Sequence, residues 1–341
     1  MRVVVDVSPL SHPRTGVGNY IRGSLRGLAA TGHEVVAFAP ATRTGRRVIE
    51  GALAGIDVER HLPVVPAAHV VRTAWSRLGR PPTERFVGRF DVLHFSDWMY
   101  PPQRAGIRST MVHDLVPLHH PEWVHPRTER MHGAKYAHAA RTCDVIVVNS
   151  RFTADDVAAT LGFPRDHIAV AYPAVDPVFA ARGVRAEGDY VLTVGTLEPR
   201  KNLELAIDGV RGRELRVVGA RGWGGVEARG DHVTWLGYPD DAELARQYRG
   251  AAVVVYPSRY EGFGMPIVEA MACGVPVVAS SHPSLDEACG DVALRADDPD
   301  SVAAAVDRAI SDRDDLVSRG LRHAAQFTAE ANALAHLEAW S

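Results

Sequence analysis

Cysteine is almost missing from the chain. Cys143, Cys273 and Cys289 are the whole supply in 341 residues, and no Cys-x-x-Cys spacing occurs. An odd total without paired spacing argues against a disulfide framework and against a cysteine zinc site. Lysine is scarcer still: Lys135 and Lys201 are the only two, so every other basic side chain is an arginine. Long apolar runs are lacking too, since Val145–Val148 and Ala251–Tyr256 fall far short of the roughly 20 residues that cross a bilayer. Asp6 interrupts the valines behind Met1, so no apolar signal-peptide region forms and the expected location is cytoplasmic. Aromatics amount to 7 % and are not interleaved with a dense basic stripe, so nucleic acid is not an expected partner.

What is present is enough for two cores. Apolar residues make up 46 % and charged residues 23 %, the composition of a water-facing globular chain of about two domains. Residues 1–170 carry a net +6 and residues 171–341 a net −9. That asymmetry suggests two domains with different partners, and an acidic or membrane-surface partner for the first.

The order of elements points to α/β architecture. Arg2–Ser8 is a β-branched run, followed by a Pro/Gly-rich loop from Pro9 to Gly18, a helical stretch to Thr31 and a strand at Glu34–Ala39. Further strands are predicted at Val92–Phe95, Ser109–Val112 and Asp144–Asn149, with Ser150 as N-cap of a helix over Phe152–Leu161. Pro173 to Gly188 reads as a linker. The alternation restarts with strands at Tyr190–Val194, Leu215–Val218, Val233–Trp235, Ala251–Tyr256 and Val275–Ala279. Helices are predicted at Asn202–Val210, Ala242–Tyr248, Val268–Ala272 and Val302–Ile310, with a last long helix over Leu321–Trp340. The expected division is 1–172, a linker at 173–188, 189–320 and a terminal helix at 321–341; residues 41–90 give no readable pattern.

Three constellations carry chemistry. Arg14-Thr15-Gly16-Val17-Gly18-Asn19-Tyr20 opens a helix after the first strand, and glycines there let backbone amides approach an anion. Ile21 stands where a dinucleotide fingerprint has its third glycine, and an ordinary glycine turn would look the same. Val194-Gly195 through Arg200-Lys201-Asn202 sets two adjacent cations at a strand's carboxyl end, where open α/β sheets bind ligands; a solvated pair at a helix start is the alternative. Tyr260-Glu261-Gly262-Phe263-Gly264-Met265-Pro266-Ile267-Val268-Glu269 places two glutamates around a glycine loop and a helix start. Such carboxylates can accept hydrogen bonds from vicinal sugar hydroxyls, while Gly262 and Gly264 present amides to phosphates. The competing reading makes Glu269 a helix-dipole residue and Glu261 a solvated loop charge.

Glu261 and Glu269, with Tyr256-Pro257-Ser258 before them and Gly274-Val275-Pro276-Val277-Val278 after, resemble the EX7E region of family-4 retaining glycosyltransferases. Gly195–Asn202, Gly16–Gly18, His113-Asp114 with Pro117 and Pro121, Val147–Phe152 and Tyr172–Phe179 resemble further segments of that family in the same order. The resemblance implies a GT-B fold: two Rossmann-like domains facing across a cleft, the C-terminal helix crossing back to the first. It further implies a hexose moved from a nucleotide-diphosphate sugar to a hydroxyl acceptor, with no cofactor. Arg200 and Lys201 would hold the diphosphate, Glu269 the ribose hydroxyls, and Glu261 with the amides of Gly262, Phe263, Gly264 and Met265 the transferred sugar and phosphate. Gly16 and Gly18 would close over the diphosphate, His113 would sit beside the sugar as a catalytic residue, and Leu236-Gly237 would border the base. The mannosyltransferase-like branch is the nearest match, which makes GDP-mannose the first expected donor and leaves UDP- and dTDP-sugars open.

The implied mechanism follows from charge. Cations and loop amides can neutralise a departing diphosphate without a metal, and no Asp-x-Asp stands in a donor-side loop. The run His113, His119, His120, His125, His132 and His138 lacks metal-site spacing and reads as solvated or acceptor-lining. Arg72, Arg77, Arg80, Arg85 and Arg89 mingle with Trp75, Leu78 and Phe86, which leaves peripheral contact with an anionic membrane open, although Pro81-Pro82 breaks any continuous helix there. Two other functions fit the same residues: a GT-B sugar-nucleotide epimerase, and a catalytically silent sugar-nucleotide-binding module. The oligomeric state and the acceptor are not legible.

Overall fold

A computed structural model describes residues 1–12, 15–96, 100–222 and 224–341; Arg14 of the glycine loop falls outside them. The chain forms two compact units. One comprises Met1–Leu118, Pro126–Ala174 and Thr328–Ser341, the other His119–His125 and Val175–Phe327.

The first unit is built on β1 (Arg2–Asp6), β2 (Glu34–Phe38), β3 (Glu59–His61), β4 (Val92–Phe95), β5 (Ile107–Val112), β6 (Val145–Val148) and β7 (Ile168–Val170). They pair in parallel in the order β3-β2-β1-β4-β5-β6-β7. Val3 faces Val35 on one side and Val92 on the other, so β1 is central. A strand buried on both faces needs an unbroken apolar run, and Val3, Val4 and Val5 supply it with at most 3 % exposure. The helix Gly16–Ala29 returns from β1, capped by Thr15 Oγ1 on the Gly18 amide at 3.2 Å.

The second unit repeats the plan without repeating the sequence. Its strands are β8 (Tyr190–Val194), β9 (Glu214–Val218), β10 (Val233–Trp235), β11 (Val253–Tyr256), β12 (Val277–Ala279) and β13 (Leu294–Arg295), all parallel. The order β10-β9-β8-β11-β12-β13 reverses direction between β8 and β11. At that switch point the connections that follow the two neighbouring strands lead to opposite sides of the sheet, and the crevice between them is the place where such sheets take ligands.

Several sequence expectations need correction. The last long helix is two helices, Arg313–Ala324 and Ala329–Ala339: the first closes at Ala325, and Thr328 caps the second through the Ala331 amide at 3.1 Å. The first of these belongs to the second unit, and only Thr328 onward belongs to the first. The stretch 173–188 is no loose linker. From Val175 it groups with the second unit, where Arg249 donates to Val184 O at 2.8 Å and Phe179 packs edge-on to Tyr248. His119–His125 also groups with the second unit although its neighbours on both sides do not. Residues 41–90, unreadable in sequence, form the helices Arg43–Ala52, Ala68–Leu78 and Glu84–Val87 around β3. Trp75 and Phe86 turn inward onto Phe38, while Val70 and Leu78 stay exposed; the side chains of Arg72 and Arg77 lie outside the described residues.

A buried ion cluster as candidate active site

The crevice between β8 and β11 is filled by charge. The chain leaves β8 at Val194, passes through a short 3₁₀ turn at Pro199–Lys201, and brings Arg200 and Lys201 against the loop that follows β11. Glu261, 7 % exposed, receives both. Arg200 Nη1 donates to Glu261 Oε2 at 2.6 Å and Lys201 Nζ to Oε1 at 2.5 Å. Tyr256 Oη and Ser258 Oγ donate to the same Oε1 at 2.8 and 2.5 Å, and Lys201 Nζ also donates to Tyr256 Oη at 2.9 Å. Arg200 spends its other fork nitrogen on Glu198 at 2.8 Å and shares Nη1 with the Tyr260 carbonyl at 2.9 Å. Two carboxylates thus balance two cations, which is what burial demands.

Protonation follows from this arrangement. Burial alone would raise the Glu261 carboxyl, but the adjacent Arg200 and Lys201 charges, with the bonds from Lys201 and Ser258, pull it down to about 2. Burial also draws the Lys201 ammonium below its ordinary range, against the opposing pull of Glu261. Tyr256 is pushed well up by burial and by the Glu261 charge, so it stays a neutral donor.

The glycine loop completes the site. Gly264 adopts φ +104°, and a Cβ there would lie 2.9 Å from Leu285, so this turn into the helix Met265–Ala272 requires glycine. Gly262–Met265 then stand at the positive end of that helix. Phe263 contributes its backbone only, because its ring is buried against Phe327 at 5.1 Å. Glu269, one turn on, is 6 % exposed and accepts from Tyr248 Oη at 3.1 Å, so it is no surface dipole charge. Leu236 and Gly237 lie at the end of β10, tied to β9 by Leu236 N→Val217 O at 2.9 Å and Gly219 N→Gly237 O at 2.8 Å. Trp235 and Tyr238 flank them exposed, with the Arg221 guanidinium 4.9 Å from the Trp235 ring.

In the first unit, His113 follows β5 half-buried, edge-on to Tyr20 at 5.2 Å. Gly16 has nothing near the position of a Cβ, whereas the Gly18 amide is taken by the Thr15 cap and is not aimed at a ligand. The run of histidines falls partly on a helix, Pro126–Thr142, whose buried Lys135 donates to Met111 O at 2.6 Å. Among the described residues no group of three or more His, Cys, Asp or Glu is disposed to hold a metal, and no helix is long and apolar enough to cross a membrane. Sequence reasoning gave no role to Tyr256, Ser258, Glu198 or Asp6. The first two were visible as hydroxyls beside the glutamate motif; Asp6, buried against Ser8 and Ser96, carried no such sign.

Comparisons with known proteins bear on the family and the fold. The family model for Glycosyltransferase Family 4 matches residues 14–179, and that for Glycosyl transferases group 1 matches 188–312. O-antigen chain mannosyltransferase B of Escherichia coli is 29 % identical over 97 % of both chains. A D-inositol 3-phosphate glycosyltransferase of Paenarthrobacter aurescens is 26 % identical over 98 % of this chain and 96 % of its own. Sucrose-phosphate synthase from Thermosynechococcus elongatus shares the fold at TM-score 0.70 and 20 % identity, covering 99 % of this chain and 98 % of its own. HepE of Anabaena, solved with UDP and glucose, does so at TM-score 0.68 and 16 % identity, covering 99 % and 98 %. With one glycosyltransferase model on each half of the chain and the GT-B fold throughout, the protein is an enzyme of the group 1, family-4 glycosyltransferases.

Proposed function

We propose that this enzyme moves a hexose, with retention and without a metal, from a nucleotide-diphosphate sugar to a hydroxyl acceptor, and that GDP-mannose is its donor. The observation that carries the reading is the pair Arg200 and Lys201, held by Glu261 beside the positive end of the helix Met265–Ala272. Breaking the sugar–phosphate bond leaves negative charge on the diphosphate, and two fixed cations with preorganised amides stabilise it where it forms. Retention would follow if the acceptor attacks from the face the diphosphate leaves, with a phosphate oxygen taking the acceptor proton. Glu261 then needs no role as the nucleophile of a carboxylate pair. Glu269 would take the ribose hydroxyls, and Leu236-Gly237 the base edge. The mannosyltransferase relative supports mannose; the UDP in the HepE structure makes UDP-glucose the competing donor.

A panel of GDP, UDP and dTDP with their sugars, read by thermal shift and then by transfer in EDTA, tests this. GDP-mannose should stabilise most, and transfer should survive the chelator with an α-linkage in the product. Preference for UDP-glucose would replace the donor, loss of transfer in EDTA would end metal independence, and turnover without acceptor would point to an epimerase.

A further inference from the structure

Behind the ion cluster, on the carboxyl edge of the second sheet, lies an open crevice of about 510 Å³ whose lining includes Asn202, Pro257, Arg259, Ser281, His282, Pro283 and Asp297. That volume falls within the roughly 300–1,000 Å³ of small-molecule sites. Its chemistry is mixed and balanced. Arg259 donates to Asn202 Oδ1 at 2.9 Å, and Asp297 accepts the Ser281 amide at 2.8 Å. His282 Nδ1 accepts from the Ser284 amide at 3.2 Å, and burial holds the ring's pKa below its ordinary value. One guanidinium opposed by one carboxylate offers no excess charge for a phosphate, and one carboxylate beside an arginine is too poor in oxygen ligands for a divalent cation.

Flat rings continue from its rim. His282 packs 5.3 Å from Tyr260, Tyr260 lies 5.9 Å from His120, and His120 stacks on Trp123 at 3.8 Å with the planes 12° apart. Trp123 is half-buried, so the stack is accessible from one side. Donors and acceptors in equal measure, proline surfaces between them and an aromatic platform beyond match a molecule that alternates hydroxyls with C–H faces.

We propose that this crevice and the His120–Trp123 stack form a saccharide-binding subsite for a hydroxyl-rich oligosaccharide longer than one sugar. The inference rests on the proposed transfer to a hydroxyl acceptor, because a site of this kind serves an enzyme whose acceptor is a glycan chain. Its position suits that use. Asn202 directly follows Lys201, the Arg259 amide donates to Arg200 O at 2.9 Å, and Ser284 Oγ accepts the Glu261 amide at 3.0 Å. A saccharide seated here leans on the backbone that carries Arg200 and Glu261.

Binding of α-linked mannotetraose and of maltotetraose, measured by calorimetry without donor, tests the site separately from the transfer reaction. One or both should bind with millimolar affinity or better, and inorganic phosphate should not compete. Trp123→Ala and Asp297→Asn should each weaken saccharide binding by about tenfold, close to 1.4 kcal/mol. GDP and UDP affinity should stay unchanged, which also shows that each variant is folded. No binding of either saccharide at about 10 mM, about −2.7 kcal/mol, or equal binding by wild type and both variants, would overturn the proposal. If saccharide binds as expected and no sugar is transferred from any donor, the transfer reading fails while the subsite stands.

Discussion

At the residue scale, the scarcest side chain was the most informative. Both lysines point inward, Lys135 at 1 % exposure and Lys201 onto Glu261, whereas the many arginines mostly serve the surface. What the sequence could not convey is that Arg200 and Lys201 are paired with Glu261, sixty residues later. That contact exists only because β11 is threaded back beside β8, a consequence of the crossover and not of local spacing. The pairing changes what a mutation should do. Glu261 holds the two cations that a diphosphate would use, so Glu261→Gln removes a competing negative charge. GDP and UDP should bind several-fold more tightly, while turnover falls because the cations lose their fixed geometry. The fold should lose about 3 kcal/mol, the scale for breaking a buried ion pair. Calorimetry with nucleotide and initial rates at saturating donor measure both effects. Weaker nucleotide binding would show instead that the carboxylate orients the cations for their ligand.

At the scale of elements, strands and capped helices were legible wherever apolar runs and Ser, Thr or Asp caps coincide, as at β6 and the helix Arg151–Leu161 after Ser150. The break at 325–328 was not, because the apolar spacing of 321–340 continues across the Ala325 end and the Thr328 cap. The return of the final helix to the first unit was expected from the resemblance, but not which helix receives it. Ala329–Ala339 packs on Gly16–Ala29 so closely that a Cβ on Gly27 would lie 1.9 Å from Ala329 O and 2.9 Å from Ala333 Cβ. Gly27→Ala should therefore destabilise by about 3 kcal/mol, the upper range of overpacking. Gly51, in the helix Arg43–Ala52, has open space at the same position. Gly51→Ala should stabilise by about 0.5–1 kcal/mol through helix propensity alone. Urea unfolding of the two variants, with equal m-values, separates close packing from propensity; the same sign for both would refute the packing argument.

At the scale of the whole molecule, the two units bury different titrating groups, and acid should reach them in turn. In the first unit His336 and His94 stand edge-on at 5.3 Å, with Trp340 against both. Burial lowers His336 to about 4, and burial with the neighbouring His336, Lys135 and His113 charges holds His94 well below its usual range. An unfolded histidine takes its proton near pH 6.5, so below that pH the unfolded chain binds more protons than the folded one. Stability present at neutral pH is then lost as pH falls from about 6.5 toward 4, at up to about 1.4 kcal/mol per pH unit for each histidine. Glu261 in the second unit behaves differently. Its folded carboxyl sits near 2, so its contribution persists until the pH drops below the ordinary carboxylate range and fades only toward 2. Hydrogen exchange followed segment by segment from pH 7 to 4 should show Gly16–Ala29, β4 and Ala329–Ala339 losing protection while β8 and β11 keep theirs. His336→Phe keeps the ring packing and removes one titration, so it should flatten the pH dependence of the first unit. Equal loss in both units, or an unchanged slope in His336→Phe, would show that the buried histidines do not set the acid limit of this fold.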